Sequence, residues 1–203
     1  MAAAAATTHV QRMPSPRRIE GYAIVSEDGM LADAAGVMPE ALKFEADQCF
    51  FARGLDRADV LVHGRHSGEQ QPRSASRRRL IVTHQVATLA PDPSNERARL
   101  WNPAGASLEQ ALAALGAPSA RICVIGAAGV FELFLDRYDV FYLTRAPGVR
   151  LPGGRPVFPD VPTRTPEEVL ASHGLTCAGR HALDRANGLS VANWRRPRSD
   201  GGR

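Results

Sequence analysis

The sequence has little cysteine and no long apolar run. Its three cysteines, Cys49, Cys123 and Cys177, are an odd number, widely spaced and without a C-x-x-C pair, so we expect reduced thiols and no metal site. No apolar stretch approaches the roughly 20 residues that cross a membrane. Residues 1–18 lack an apolar signal core, which predicts a disordered tail on a cytoplasmic protein. Their arginines, alanines and serine leave an organelle transit peptide as the alternative.

Lysine is almost absent, and Lys43 is the only lysine among the 25 lysine and arginine residues. The net charge is +4, but most arginines are dispersed, and the clusters considered are Arg77-Arg78-Arg79 and Arg195-Arg196. No nucleic-acid-binding motif accompanies them, which argues against nucleic acid as the partner. The arginine and alanine bias is typical of a GC-rich coding genome and favours a bacterial source. Part of the positive charge is expected to serve an anionic small molecule.

A chain of 203 residues, 44% of them hydrophobic, is long enough for one domain, expected over 19–196 with a frayed tail at 197–203. Apolar β-branched runs alternate with helix-like segments, which predicts an α/β fold with a mostly parallel central sheet flanked by helices. Two extended runs around Asn187-Gly188 predict a C-terminal antiparallel hairpin. The expected strands are 21–26, 58–64, 78–84, 121–126 and 140–145, and the expected helices are 42–55, 107–115 and 130–137.

Four small residues, Gly126 to Gly129, stand where a predicted strand gives way to a predicted helix, in the stretch VIGAAGVF. Backbone N–H groups at such a turn and the helix dipole favour a phosphate. A tight strand-to-helix turn also needs small residues for packing, so the pattern alone leaves both interpretations open. It matches neither the dinucleotide pattern G-x-G-x-x-G nor a P-loop.

Two other predicted strands also end in polar residues. The first is followed by Arg65, His66 and Ser67 after Gly64, and the second ends at Thr83 and His84. Charged and hydroxyl side chains of these types hydrogen-bond phosphate groups. An open α/β sheet binds dinucleotides at the carboxyl ends of its strands, so the three strand ends together predict a nucleotide site.

These motifs, taken in order, resemble the dihydrofolate reductase superfamily, which includes dihydrofolate reductase and the reductase domain of bacterial riboflavin biosynthesis. The matching segments span about residues 20 to 160. The resemblance implies a dihydrofolate reductase-like fold and an NADPH-dependent oxidoreductase. The segments are IVSEDGMLAD, MPEALKFEADQCFF, DVLVHGRHS, RLIVTH, VIGAAGVFELFL, DVFYLTR and PVFPD.

The resemblance also implies which residues hold NADPH. Arg65 and His84 are expected near its 2′-phosphate. Where this chain has Gly126 and Ala127, the family usually has two glycines joined by a cis peptide bond, and an alanine argues against that bond. The implied cofactor-binding residues are Ile24, Leu31, Gly64, Arg65, His66, Ser67, Thr83, His84, Ile125, Gly126, Ala127, Ala128, Gly129, Val130 and Phe131.

The candidate carboxylate for the substrate lies in the predicted helix 42–55. A helical wheel places Asp47 beside Phe44, Phe50 and Phe51, so a carboxylate interrupts an apolar face. Such a group is costly to bury without a partner, and a heterocycle with N–H donors is one. The family's acidic-to-aromatic spacing likewise selects Asp47, with Phe50 and Phe51 in the substrate pocket. An ungapped count from Met38 selects Glu45 instead, and a solvated Asp47 is the third possibility.

Two further substrate residues follow from the resemblance alone. Thr144 matches the threonine that hydrogen-bonds the family's carboxylate, and Arg77 matches the arginine that binds the glutamate tail of folate. The implied reaction is hydride transfer to a pterin-type heterocycle, with dihydrofolate first. Ser26-Glu27-Asp28-Gly29 also resembles the riboflavin-pathway reductases, which act on a phosphoribosylamino-pyrimidine.

Departures from the family pattern at Glu40 and Ala127 leave a noncatalytic nucleotide-binding protein as the alternative of another class. The expected partner is a small heterocyclic molecule, without nucleic acid or membrane. The chain is expected to be a monomer or a homodimer.

Overall fold

A computed structural model describes residues 17–197 of the chain. The strands are β1 Arg18–Val25, β2 Met30–Ala32, β3 Val60–Gly64, β4 Arg78–Val82, β5 Leu89–Asp92, β6 Asn95–Trp101, β7 Arg121–Val124, β8 Val140–Arg145, β9 Arg155–Pro156, β10 Thr176–Asp184 and β11 Leu189–Arg195. The α-helices are α1 Glu45–Arg57, α2 Leu108–Ala114, α3 Ala128–Leu133 and α4 Pro166–Ser172. Short 3-10 helices cover Glu40–Leu42, Ser74–Ser76 and Leu135–Arg137.

Nine of the described strands form one sheet in the order β10-β11-β8-β1-β7-β3-β4-β6-β5, while β2 pairs with β9. β1 pairs in parallel with β7 and β8, and β3, β4 and β6 extend the parallel array. The β10–β11 hairpin and β5 are antiparallel to their neighbours. The predicted α/β fold with its C-terminal hairpin is therefore confirmed. The carboxyl ends of the parallel strands all meet at one edge of the sheet.

Successive residues of a strand point to opposite faces of the sheet. Both faces of this sheet carry apolar residues, and helices cover both. Val60 and Val62 belong to the main core, which α2, α3 and α4 cover. Leu61 lies on the other face with Tyr22, under α1. An ideal Cβ on Gly54 of α1 would come within 2.6 Å of the Tyr22 ring, so the glycine is what lets the helix approach the sheet.

Two capping boxes fix the starts of short helices. At α2, Ser107 accepts a hydrogen bond from the Gln110 amide, and the Gln110 side chain accepts one from the Ser107 amide. The predicted helix 107–115 therefore begins where expected. Thr165 and Glu168 make the same exchange at α4, where Pro166 stands in the first turn. This helix was not predicted, although Thr165-x-x-Glu168 is the same capping-box pattern that marks the start of α2.

Other element boundaries depart from the expectations. β1 begins at Arg18, earlier than residue 21 and inside the segment 1–18 assigned to a tail, because Arg18 pairs with Arg121 of β7. The β5–β6 hairpin was also missed, since charged residues fill much of β6 and only Ala98 and Trp101 are buried there. The rest of the predicted N-terminal tail and residues 198–203 lie outside the described residues.

The described residues also bear on the remaining expectations from composition. Within residues 17–197, no helix combines the length and apolar character needed to cross a membrane. All three cysteines are unpaired; Cys123 is buried, whereas Cys49 and Cys177 are exposed. Over the same range, no group of three or more histidine, cysteine or acidic side chains is arranged to hold a metal ion.

Candidate active site

Two of the glycine-containing turns picked out in the sequence lie against each other at the carboxyl ends of β3 and β7. The Gly64 amide donates to the Gly126 carbonyl at 2.8 Å, and the Ser67 amide donates to the Gly64 carbonyl at 3.0 Å. An ideal Cβ on Gly64 would lie 3.5 Å from the Ala127 nitrogen. The segments Gly64–Ser67 and Gly126–Gly129 therefore form one continuous surface.

The turn at Gly126–Gly129 has the geometry that its small residues suggest. Gly126 has a φ of 116°, which only glycine adopts readily. The Gly126–Ala127 peptide bond is cis, so the expectation drawn from the alanine is wrong. Ala127 has a φ of −76°, an ordinary value for a residue with a side chain, and this backbone accepts its β-carbon. A Cβ on Gly129 would meet no atom within 4 Å, so open space lies beside the start of α3.

The predicted cofactor-binding residues differ in whether their side chains are accessible. Arg65 and His66 are exposed, Ser67 is half-buried, and His84 is exposed at the end of the neighbouring strand β4. Thr83 is buried, and its hydroxyl accepts a hydrogen bond from the Gln85 amide. The structure thus presents one arginine and two histidines at adjacent strand ends.

The remaining predicted cofactor residues are apolar and mostly serve the two cores. Val130 and Phe131 of α3 are buried in the main core, so their side chains do not reach a bound molecule. Leu31 packs half-buried against the same core. Ile125 lies on the α1 face of the sheet, whereas Ile24 is buried in a third cluster beside Leu42.

Asp47 and Thr144 come together near the carboxyl ends of β1 and β8. Asp47 lies half-buried in the first turn of α1, and the buried Thr144 pairs in register with Ile24 of β1. Burial raises the pKa of the Asp47 carboxyl, and the neighbouring Thr144 side chain partly opposes this by lowering the pKa. Glu45, the other candidate carboxylate, is exposed. The geometry brings together the carboxylate and threonine that the resemblance paired.

Aromatic rings form the surface under the first half of α1. The Phe50 ring lies 5.3 Å from the Tyr142 ring and 5.9 Å from the Tyr22 ring, and the Phe51 ring lies 6.1 Å from that of Tyr22. Both phenylalanines are half-buried. Asp47 shares the first two turns of α1 with these two rings, whereas Phe44, the third aromatic residue of the helical wheel, precedes the helix and packs in the cluster of Ile24 and Leu42.

Arg77 does not present the free guanidinium that the resemblance implied. Its Nη1 donates to Glu69 Oε1 at 3.0 Å and its Nη2 donates to Asp56 Oδ1 at 2.7 Å. Only 8% of its side chain is exposed. The guanidinium that was expected to bind the carboxylate of a folate tail is thus already paired with two carboxylates of the protein. The expected substrate role of Arg77 does not fit these contacts.

The Ser26-Glu27-Asp28-Gly29 motif ties the loop after β1 to the loop after β8. Asp28 accepts hydrogen bonds from the Ser26 hydroxyl and the Leu151 amide. Burial acts to raise the pKa of Asp28, but these hydrogen bonds outweigh it and hold the pKa below its usual range. Arg145 adds a second tether, because it donates to the Glu27 carbonyl at 2.8 Å. The motif therefore has a structural role, which its sequence pattern did not reveal.

A separate cleft of about 720 Å³ lies between the outer side of α1 and the β10–β11 hairpin. Lys43, Cys49 and Arg53 line one wall, and Leu183 and Asp184 line the other. Neither Asp47 nor either glycine turn contributes to its lining. Two of the predicted substrate residues, Glu45 and Phe50, also line this cleft.

Comparison with solved structures identifies the fold. No protein-family model and no curated protein matches the sequence. A putative riboflavin biosynthesis protein from Shewanella sp. PV-4 aligns with a TM-score of 0.64 at 20% identity, over 89% of this chain and 99% of the other. Dihydrofolate reductase from Enterococcus faecalis, complexed with NADP(H), aligns with a TM-score of 0.58 at 18% identity, over 88% of this chain and 96% of the other. The chain has the dihydrofolate reductase fold.

A third similar structure is a deaminase/reductase from Thermotoga maritima, a diaminohydroxyphosphoribosylaminopyrimidine deaminase and 5-amino-6-(5-phosphoribosylamino)uracil reductase. It aligns with a TM-score of 0.59 at 14% identity, over 90% of this chain and 57% of the other. The chain therefore corresponds to just over half of that protein. The superfamily resemblance noted in the sequence is confirmed at the level of the fold.

Proposed function

We propose that this protein is an NADPH-dependent reductase of a nitrogen heterocycle, with Asp47 as the group that anchors the heterocycle. The observation that carries the proposal is the half-buried Asp47 beside Thr144, at the sheet edge where the two glycine turns also meet. A carboxylate held in an apolar surface with a raised pKa is characteristic of functional sites. The dihydrofolate reductase fold, whose Enterococcus faecalis example is complexed with NADP(H), supports the same proposal.

The residues present fit NADPH. The open space beside Gly129 and the hydrogen bond between Gly64 and Gly126 provide a low backbone surface for a diphosphate. The exposed Arg65 supplies positive charge, and Arg65 and His84 both supply hydrogen-bond donors, for a 2′-phosphate that carries about −1.5 to −2 charge. This charge favours NADPH over NADH. NADPH supplies a hydride when it is bound.

Asp47 would hold the heterocycle by accepting hydrogen bonds from ring N–H and amino groups. The neighbouring Thr144 side chain would orient the carboxylate, and it favours the ionised form. The substrate gains the hydride at an electron-poor C=N or C=O carbon and a proton at the nitrogen or oxygen, while NADPH becomes NADP⁺. The proton would come from water or from an acid.

Two substrates fit this proposal. Dihydrofolate is the first that the resemblance implies at Asp47. A phosphoribosylamino-pyrimidine is the second, and the contacts of Arg77 favour it, because a folate tail would have to displace Glu69 or Asp56 from the guanidinium. The Thermotoga maritima protein, a 5-amino-6-(5-phosphoribosylamino)uracil reductase, has the same fold.

The test is oxidation of NADPH by the purified protein with each of the two candidate substrates. We expect turnover of at least one substrate and a higher kcat/KM with NADPH than with NADH. Turnover of the pyrimidine alone would assign the second substrate, and turnover of dihydrofolate alone would assign the first. NADPH binding without turnover of either would favour the noncatalytic nucleotide-binding protein.

A further inference from the structure

A buried histidine touches the proposed cofactor turn from behind. His63 is 4% exposed, on the α1 face of β3, and stands directly before Gly64. Its Nδ1 lies 2.8 Å from the Gly64 carbonyl oxygen, and its Nε2 lies 3.3 Å from Nη1 of Arg79. Burial lowers the pKa of His63, and the Arg79 charge also lowers it, so the ring is neutral near pH 7.

The partners of His63 determine which ring nitrogen carries the proton. A guanidinium only donates hydrogen bonds, so Nε2 must accept from Arg79. The proton is therefore on Nδ1, which donates to the Gly64 carbonyl. The same carbonyl accepts from the Ser67 amide at 3.0 Å, and the Gly64 amide donates to the Gly126 carbonyl at 2.8 Å. The two peptide groups that flank Gly64 are thus fixed by three hydrogen bonds.

Arg79 is itself held in place on its other side. Its Nη2 donates to Glu69 Oε1 at 2.7 Å and to the Ser74 carbonyl and hydroxyl at 2.8 and 2.7 Å. Glu69 also accepts from the Gln71 amide at 2.7 Å. The side chains of Arg79 and Glu69 are 8% and 4% exposed, so solvent screens their attraction little. The orientation of the His63 ring is therefore set by a rigid buried cluster.

We propose that His63 is a positioning residue for the cofactor, acting through the Gly64 carbonyl to fix the turn that presents Arg65, His66 and Ser67. This inference rests on the proposed function, because it assigns the turn to the cofactor phosphates. The hydrogen bond from His63 sets the plane of the Gly64 peptide, and that plane directs the backbone of the next three residues. A turn that is ordered before binding loses less conformational entropy when the phosphate binds.

Two amide substitutions separate the two hydrogen bonds of His63. The amide nitrogen of asparagine takes approximately the place of Nδ1, so His63→Asn keeps the donor to Gly64 and loses the contact with Arg79. The longer glutamine side chain brings its oxygen approximately to the place of Nε2, so His63→Gln keeps the acceptor for Arg79 and loses the donor to Gly64. Leu61→Val is the control for general loss of packing, because Leu61 is buried on the same face of β3.

The first measurement is the dissociation constant of NADPH, determined by fluorescence titration of the folded proteins. We expect His63→Gln to weaken binding about threefold to tenfold, the effect of one lost hydrogen bond. His63→Asn and Leu61→Val should stay within about twofold of the wild type. The kcat at saturating NADPH should stay near the wild-type value in all three variants, because a positioning residue for the cofactor acts on its binding.

The second measurement is hydrogen exchange of the Ser67 amide without nucleotide. This exchange should accelerate in His63→Gln and not in His63→Asn. If His63→Gln and His63→Asn bind NADPH with the same dissociation constant, whether unchanged or weakened, the proposal is overturned. If the wild type does not bind NADPH at all, the proposed function fails and this inference falls with it. Wild-type binding combined with an unaltered His63→Gln variant overturns this inference alone.

Discussion

Replacement of Asp47 by asparagine tests the proposed function most directly. The substitution keeps the size of the side chain but exchanges a charged acceptor for an amide that is partly a donor. Asp47 is half-buried beside the Thr144 hydroxyl, so a substrate N–H facing the new amide N–H has little access to water. The structure of the free protein should remain intact.

The size of the effect follows from the hydrogen bond that is lost. A buried donor left without a partner costs about 1–3 kcal/mol, which corresponds to a fall of about fivefold to 150-fold in kcat/KM. NADPH binding should hardly change, because the two glycine turns and Arg65 belong to other loops. The loss should therefore be seen in kcat/KM for the heterocycle and not in the dissociation constant of NADPH.

Glu45→Gln is the matched control, because it makes the same change of charge two residues earlier on the same helix. Glu45 is exposed, and its variant should keep nearly wild-type activity. Steady-state kinetics with the substrate found in the panel provides the measurement. Loss of activity in the Glu45 variant together with full activity in the Asp47 variant would refute the reasoning and make Glu45 the site carboxylate.

Asp47→Asn, which should lower kcat/KM, should leave the free energy of unfolding unchanged or raise it. The pKa of Asp47 is raised in the folded protein, mainly by burial, so the folded state holds this proton more tightly than the unfolded state does. The free energy of unfolding therefore falls as the pH rises from the unfolded-state pKa through the folded-state pKa. Asp47→Asn removes this fall, and urea unfolding at neutral pH should show a variant at least as stable as the wild type. A clear loss of stability would show that the carboxylate contributes favourably to folding.

Three further substitutions test the cofactor turns and the packing of α1. Arg65→Ala should weaken NADPH more than NADH in equilibrium titrations, and equal losses would remove Arg65 from the 2′-phosphate. Gly129→Leu should fold normally, because a Cβ there meets no atom within 4 Å, yet it should weaken NADPH binding by filling the open space. Unchanged NADPH affinity would mean that the small residues of this turn serve packing alone. Gly54→Ala should lower the free energy of unfolding by about 1–3 kcal/mol in urea titrations, because its Cβ would come 2.6 Å from the Tyr22 ring, and a neutral result would contradict the close approach of α1.

Most of the fold was predictable because its sheet is built from short buried strands. VLVHG and RICV read as strands from their β-branched apolar residues, and the structure buries nearly all of them. The C-terminal hairpin was predictable from Asn187-Gly188. The β5–β6 hairpin was not, because the strand NERARLW contains three charged residues, two of them exposed, and shows no continuous apolar pattern.

The site was predictable where it depended on local periodicity. Residues within four positions distinguished Asp47 from Glu45, and in the structure Asp47 is half-buried while Glu45 is exposed. The cis bond at Gly126–Ala127 was not predicted, because an alanine in place of the second glycine was expected to disfavour it. Gly126 has the positive φ of this turn, which leaves Ala127 in an ordinary conformation.

Three arginines that look alike in the sequence have different surroundings, and burial separates them. Arg65 follows a strand end and is exposed, so its charge is available to a ligand. Arg77 is paired with Glu69, eight residues away, and with Asp56, 21 residues away. Arg79 is buried between Glu69 and His63. No periodicity links such distant partners, so an arginine assigned by resemblance alone keeps its proposed ligand only if folding leaves its guanidinium without a carboxylate of the protein.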